Sequence, residues 1–150
     1  MNISRRHVLS LSAGAAAIGA SGILPGMAWA NTEEWQKAVA EFGGSDIQSG
    51  RITLTAPEIA ENGNNVPLSV SVDSPMSADD YVESIKLFAD GNPVPSVATF
   101  HFTPMSGQAV ATTRVRLAKT QNIIAVAKMS NGSTFQDVKQ VKVTIGGCGG

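Results

Sequence analysis

Residues 122–145 read Asn122-Ile123-Ile124-Ala125-Val126-Ala127-Lys128-Met129-Ser130-Asn131-Gly132-Ser133-Thr134-Phe135-Gln136-Asp137-Val138-Lys139-Gln140-Val141-Lys142-Val143-Thr144-Ile145. The first part, Asn122–Met129, is almost continuously apolar, as a central strand covered on both faces should be. Asn131-Gly132 follows, and both residues tolerate the positive φ that a tight hairpin turn demands. Phe135–Ile145 then alternates, with Val141, Val143 and Ile145 inward and Lys142 and Thr144 outward. A hairpin with one buried arm and one half-exposed arm needs further strands to cover it, and the residues upstream supply them.

Ile52-Thr53-Leu54 alternates, and Leu68, Val70 and Val72 alternate with Ser69 and Ser71 before Asp73-Ser74-Pro75 ends the run. Glu83–Ala89 puts Ile85 and Leu87 on one face, and Asp90-Gly91-Asn92-Pro93 turns the chain. Val97–Phe102 sets Ala98, Phe100 and Phe102 against Thr99 and His101, and Thr103-Pro104 closes it. Ala109–Leu117 aligns Thr113, Val115 and Leu117 against Arg114 and Arg116. About seven short strands separated by turn signals predict an all-β domain, an immunoglobulin-like antiparallel β-sandwich. The cysteine pair of antibody domains is missing, so only the architecture is expected. One helix precedes the strands. Thr32 caps it, Glu33 and Glu34 suit its positive end, and Gly43-Gly44 stops it. Trp35, Ala38, Val39 and Phe42 form one apolar stripe, fit to pack on the domain itself or on a partner subunit.

The amino terminus has a different character. Ser4-Arg5-Arg6-His7-Val8-Leu9 is a twin-arginine region, Leu11–Leu24 is apolar, and Ala28-Trp29-Ala30 is a small-x-small cleavage site. Together they form a Tat-type export signal over residues 1–30, with a general secretory signal as the alternative; Val8 and Ser10 depart from the usual Tat pattern. The apolar stretch is shorter than the roughly 20 residues a membrane span needs. The expected product is a β-sandwich domain with its helix over residues 31–145 and an arm over residues 146–150, in the periplasm. The 150-residue chain carries a formal net charge of −1, and loss of Arg5 and Arg6 with the leader takes it to −3. No basic run or basic amphipathic helix is present, so neither nucleic acid nor a membrane is an expected partner.

The chain ends Gly146-Gly147-Cys148-Gly149-Gly150, and Cys148 is its one cysteine. Glycine is the most permissive backbone, and a terminus with nothing to bury is poorly ordered unless tied down. The segment reads as a flexible arm, with Cys148 reaching roughly 10 Å beyond Ile145. An odd cysteine in an exported protein points to intermolecular pairing or to a free reactive thiol. No Lys, Arg, His or helix N-terminus adjoins Cys148 to lower its pKa, so activation must come from elsewhere. That favours a covalent carrier over an enzyme. A single thiol without a resolving cysteine cannot cycle as a dithiol oxidoreductase.

Other constellations are weak. His101 is the only histidine after the leader and suits an exposed strand position. One histidine and one remote cysteine do not make an ordinary zinc site. Asp79-Asp80 reads as a solvated loop, and Arg114 and Arg116 as a small basic stripe serving solubility or docking. No Ser-His-Asp set, P-loop or dinucleotide motif is present, and no cofactor is expected.

The terminal Gly-Gly-Cys-Gly-Gly, the Tat-type leader and three stretches of the body resemble the SoxY family, the sulfur-substrate carriers of bacterial thiosulfate-oxidising (Sox) systems. Those stretches are Thr55-Ala56-Pro57-Glu58-Ile59-Ala60-Glu61-Asn62-Gly63, Asp73-Ser74-Pro75-Met76 and Ala98-Thr99-Phe100-His101-Phe102-Thr103-Pro104. The resemblance covers essentially everything after residue 30. It implies a tight heterodimer with SoxZ, a second β-sandwich protein, and covalent attachment of the oxidation intermediates to Cys148. It further implies transient docking to SoxAX, which joins thiosulfate to the thiol, to SoxB, which releases sulfate, and in some organisms to SoxCD. Two other readings are a structural β-sandwich whose Cys148 links two chains, and a thiocarboxylate carrier using the terminal Gly149-Gly150. The export signal counts against the second, because the periplasm has no ATP.

Overall fold

A computed structural model describes residues 32–147. The leader expected over residues 1–30, and Cys148, Gly149 and Gly150, lie outside the described residues. The chain opens with helix α1 (Thr32–Gly43), followed by β1 (Ile47–Ser49), β2 (Ile52–Thr55), β3 (Ile59–Asn62), β4 (Val66–Val72) and β5 (Val82–Ala89). Strand β6 (Ser96–His101), a short 3-10 turn at Pro104–Ser106, β7 (Ala109–Val115), β8 (Gln121–Met129) and β9 (Thr134–Ile145) complete it.

Two sheets form. The larger runs β1-β9-β8-β5-β6, with β3 also paired to β9; the smaller runs β2-β4-β7. The hairpin read from residues 122–145 is β8–β9, in register with Ile124 opposite Val138 and Ala127 opposite Phe135. Gly132 takes φ +84° in its turn. Strand β8 lies between β9 and β5, with Ala125 opposite Leu87 of β5.

The core follows from the two-residue period of a strand. On β4, Val66, Leu68, Val70 and Val72 are buried while Pro67, Ser69 and Ser71 face outward. They meet Ile85 and Leu87 of β5, Ile123, Ala125 and Ala127 of β8, and Val141 of β9 in one apolar cluster. Each fully buried Val, Leu or Ile among them contributes about 1.5–3 kcal/mol relative to exposure, before the entropy of ordering it is subtracted. The other face of β8 explains its continuous apolar run. Ile124 and Val126, with Phe88 of β5, lie under Trp35, Ala38, Val39 and Phe42 of α1. The Phe42 and Phe88 rings meet edge to face, with centroids 6.3 Å apart and planes at 64°. The helical stripe therefore packs on its own domain.

The helix stops where the glycines predict. Gly44 takes φ +79° and its N–H donates to the Ala40 carbonyl at 2.8 Å, the usual left-handed cap. The Gly43 carbonyl accepts from the buried hydroxyl of Thr134 on β9 at 2.8 Å, which fastens the helix end to the sheet.

Several expectations need amendment. The sandwich is antiparallel except that β1 and β3 pair with β9 in parallel. Neither was read as a strand: β1 has no fully buried residue and β3 only Ala60, so no alternation shows. Ile145, expected inward, is 67% exposed. Its strand outruns the core: the β8–β9 register ends at Gln121 opposite Val141, and the last residues of β9 pair with β3 alone. The segment read as a strand to Leu117 leaves the sheet at Val115. Asp80 is engaged with Arg51 across 3.0 Å.

The strand directions put the loops at two ends. The β8–β9 turn and the loop between β4 and β5 occupy one end. The β3–β4, β5–β6 and β7–β8 loops gather at the other, where β9 runs out toward Cys148.

Candidate functional site

Three backbone segments converge where β9 ends. The Gly63 N–H, in the β3–β4 loop, donates to the Ile145 carbonyl at 2.7 Å. The Leu117 N–H, in the β7–β8 loop, donates to the Gly63 carbonyl at 2.7 Å, and the Gly147 N–H donates to the Leu117 carbonyl at 2.8 Å. Gly147 is buried by this arrangement, while Gly146 is exposed.

The segments touch so closely that side chains are excluded. A Cβ on Gly63 would collide with the Leu117 carbonyl oxygen and lie 2.8 Å from the Gly147 nitrogen. A Cβ on Gly146 would strike the Ala118 carbonyl oxygen, and one on Gly147 would lie 2.9 Å from the Gly63 oxygen. None of the three adopts left-handed φ. Glycine is needed here for close backbone approach rather than for an unusual turn.

The β7–β8 loop is itself clamped. The Asn92 side chain, 3% exposed, donates from Nδ2 to the Arg116 carbonyl at 2.9 Å and accepts from the Ala118 N–H at 3.0 Å. Gln121, 4% exposed, donates from Nε2 to Asn92 Oδ1 at 2.8 Å and accepts from the Gly91 N–H at 2.7 Å. Leu117, between the two bonds from Asn92, is fully buried in the core. Buried amides whose partners are all supplied in this way make a rigid network.

Of the expected site residues, Gly147 is buried and hydrogen-bonded to Leu117, while Gly146 is exposed. Contact with the body thus continues two residues past Ile145, the end of β9. Cys148 follows by one peptide unit, with Gly149 and Gly150, outside the described residues. Arg114 extends to this end, where its Nη1 donates to Asn65 Oδ1 at 3.3 Å. His101 is exposed on the edge strand β6. Gly63, Asn92, Leu117 and Gln121 were not singled out as site residues. Gly63 closes one of the stretches that carry the family resemblance, but nothing in that stretch announces contact with the end of the chain.

Among the described residues, no group of three His, Cys, Asp or Glu side chains lies together as metal ligands would. No helix among them is long and apolar enough to cross a membrane.

Comparison with known proteins bears on this end of the molecule. The family model described as "Sulfur oxidation protein SoxY" matches residues 38–148, so the match runs from α1 through to Cys148. The sulfur carrier protein SoxY of Chlorobium limicola f thiosulfatophilum is similar, with 35% sequence identity and a TM-score of 0.62. The alignment covers 75% of this chain and 98% of that one. A superoxide reductase (neelaredoxin) of Ignicoccus hospitalis has 20% identity and a TM-score of 0.56, over 71% of this chain and 86% of its own. A superoxide reductase of Nanoarchaeum equitans has 12% identity and a TM-score of 0.54, over 63% and 99%. These two likenesses show the sandwich fold alone. No curated protein matches the chain. A family match over most of the chain, ending on its cysteine, together with a 35% identical carrier, makes this chain a member of the SoxY family of sulfur oxidation proteins.

Proposed function

We propose that this protein is a covalent carrier of sulfur intermediates in periplasmic thiosulfate oxidation, with Cys148 as the point of attachment. The observation that carries the reading is the family match ending on Cys148, beside a similar protein that is itself named a sulfur carrier. The chemistry of the tail agrees. Cys148 has no neighbour in sequence to activate it, so a partner's active site must supply the nucleophilic thiolate. The thiol joins the sulfane sulfur of thiosulfate in a two-electron oxidation, the electrons passing to the haem enzyme SoxAX. Hydrolysis by SoxB then adds water across the terminal bond and releases sulfate. The remaining sulfane stays on the thiol for SoxCD where that enzyme exists. The protein itself catalyses none of these steps.

A tethered intermediate meets each enzyme at an effective concentration set by docking rather than by diffusion of a free sulfur species. A tight heterodimer with SoxZ supplies additional docking surface. The leader over residues 1–30 serves export by the Tat route, which carries folded protein.

Intact-mass measurement of the protein from cells given thiosulfate, with and without reductant and beside Cys148→Ser, tests the reading. A reductant-labile adduct of sulfur and oxygen atoms, absent from the variant, is expected. A protein that is unmodified, or only disulfide-linked to a second copy, overturns it in favour of a structural role for Cys148. Detection of the chain in the cytoplasm with its leader intact would overturn the periplasmic placement.

A further inference from the structure

Charge is unevenly placed on this molecule. The chain after residue 30 is net acidic, yet β7 and the loop after it carry Arg114, Arg116 and Lys119 within six residues. Arg114 stands opposite Pro67, near the start of β4, so these cations lie at the end of the sandwich where β9 finishes. Both arginines are exposed. Arg114 is steadied by its bond to Asn65 Oδ1, and among the described residues neither guanidinium pairs with a carboxylate. Of the carboxylates toward that end, Asp90 accepts from the Asn122 N–H at 2.9 Å and from its Nδ2 at 2.7 Å. Glu61 stands on β3, paired to the large sheet. The exposed carboxylates Asp73 and Asp79 lie in the β4–β5 loop, at the opposite end.

The outer face of the small sheet leads up to the two arginines and is uncharged. Thr53, Thr55, Ser69, Ser71 and Thr112 face outward there with Val110, and the Ser69 and Thr112 hydroxyls lie 3.2 Å apart. Short side chains lose little rotamer freedom when covered. A face rich in hydroxyls rather than apolar groups suits a partner that leaves again, since permanent interfaces are more hydrophobic.

We infer that Arg114 and Arg116, with the uncharged face beside them, form the docking surface for the enzymes that act on the carried sulfur, and that those enzymes present carboxylates to it. The inference rests on the carrier reading and deepens it. A tethered group is served at the end of the body from which its tether leaves, and the chain leaves from the end that these cations mark. A guanidinium fork meets a carboxylate through two parallel hydrogen bonds. The acidic remainder of the molecule is repelled by the same partner, so the separation of charge presents this end first. Rim charges act on the rate of encounter more than on the lifetime of a complex. The contact therefore speeds association without holding the carrier afterwards, as a protein passed between enzymes requires.

Two rates test the surface, each followed by intact mass on the chain without its leader, in complex with SoxZ and at limiting carrier. They are loading of Cys148 from thiosulfate by SoxAX and release of sulfate from the loaded protein by SoxB. Arg114→Glu combined with Arg116→Glu should slow both by about tenfold at low salt, and the loss should shrink as salt is raised. Arg116→Glu alone spares the bond from Arg114 to Asn65, so its slowing, about threefold, does not depend on that contact. Lys128→Glu makes an equal charge change on an exposed residue at the far end of β8 and should slow neither rate. Reaction of Cys148 with a dianionic aryl disulfide, measured against neutral iodoacetamide, should be the same in every variant.

Unchanged enzymatic rates in the double variant overturn the inference, as does equal slowing by Lys128→Glu or a loss confined to one of the two enzymes. A slowed reaction with the dianionic disulfide also overturns it, because the arginines would then be drawing in small anions rather than a protein. Each of these results leaves the carrier reading intact. Absence of any adduct from the unsubstituted protein overturns the carrier reading and this inference with it.

Discussion

The Asp137 carboxylate, on β9 of the large sheet, accepts a hydrogen bond from the Leu54 N–H, on β2 of the small sheet, at 2.8 Å. Strand β2 is an edge of its sheet, and an edge strand has backbone groups directed away from its single partner. Asp137 satisfies one of them and ties the two layers together where no ladder joins them. Asp137→Ala would leave the N–H of a residue only 1% exposed without that partner. A loss of about 1–3 kcal/mol is expected in urea unfolding. Asp137→Asn keeps an acceptor and should lose less. Equal losses for the two variants would show that the bond contributes little.

Thr134 anchors the helix by a similar device. Its hydroxyl, on a residue 4% exposed, bonds the Gly43 carbonyl at 2.8 Å and the Asp46 carbonyl at 3.2 Å. Thr134→Val keeps the shape and removes the bonds, so about 1–3 kcal/mol should be lost. The loss should be felt first at α1. With residues 1–30 removed, Trp35 is the remaining tryptophan and rests on the helix–sheet contact, so its emission reports the helix. An early red shift in denaturant, ahead of the sheet signal, is the expected result. Coincident transitions would mean that the helix is no weaker than the sandwich.

The two faces of the large sheet should respond differently to truncation. Leu87 is 1% exposed at the centre of the sandwich, whereas Val138 on β9 is 46% exposed. Leu87→Ala should cost about 2–5 kcal/mol through lost burial and the cavity left behind. Val138→Ala should stay within about 0.5 kcal/mol. Thermal or chemical denaturation of both variants checks the contrast. A large loss at Val138 would reveal burial against a second molecule in solution.

At the β8–β9 turn, Gly132 takes φ +84°, a region costly to L residues with side chains. Gly132→Ala meets no steric neighbour within 4 Å, so any penalty is conformational alone. About 1–2 kcal/mol of destabilisation is expected. A neutral result would mean that the turn relaxes to another type without disturbing the register of Ala127 with Phe135.

The parts of this fold that the sequence displays are those whose cause is local. The Asn131-Gly132 turn, the alternation on β4 and the helical stripe from Trp35 to Phe42 each write their period within a dozen residues, and each was found where expected. Strands β1 and β3 escaped because they are short and almost unburied, and their only ladder partner, β9, lies far along the chain. Ile145 was misplaced because alternation continues in sequence after the core has ended in space. At the candidate site, the cysteine and its glycines were plain to read, but the contact of Gly147 with the β7–β8 loop was not. An isolated glycine pair signals freedom; the same pair beside Gly63 and the Ala118 carbonyl signals contact. Only the fold brings those partners together.

The parallel additions of β1 and β3 to β9 set the timing of assembly. Both early strands wait for a partner made near the end of synthesis, and pairing across so long a stretch of chain is slow to form. Until β9 emerges, β8 lacks its hairpin partner, the Thr134 hydroxyl that holds α1 is absent, and the Leu54 amide has no carboxylate. A chain truncated ahead of β9 is therefore left unfinished and open to degradation. The strand that completes the body is also the one that leads to Cys148, so the carrier residue is made only after every strand of the sandwich is in the chain.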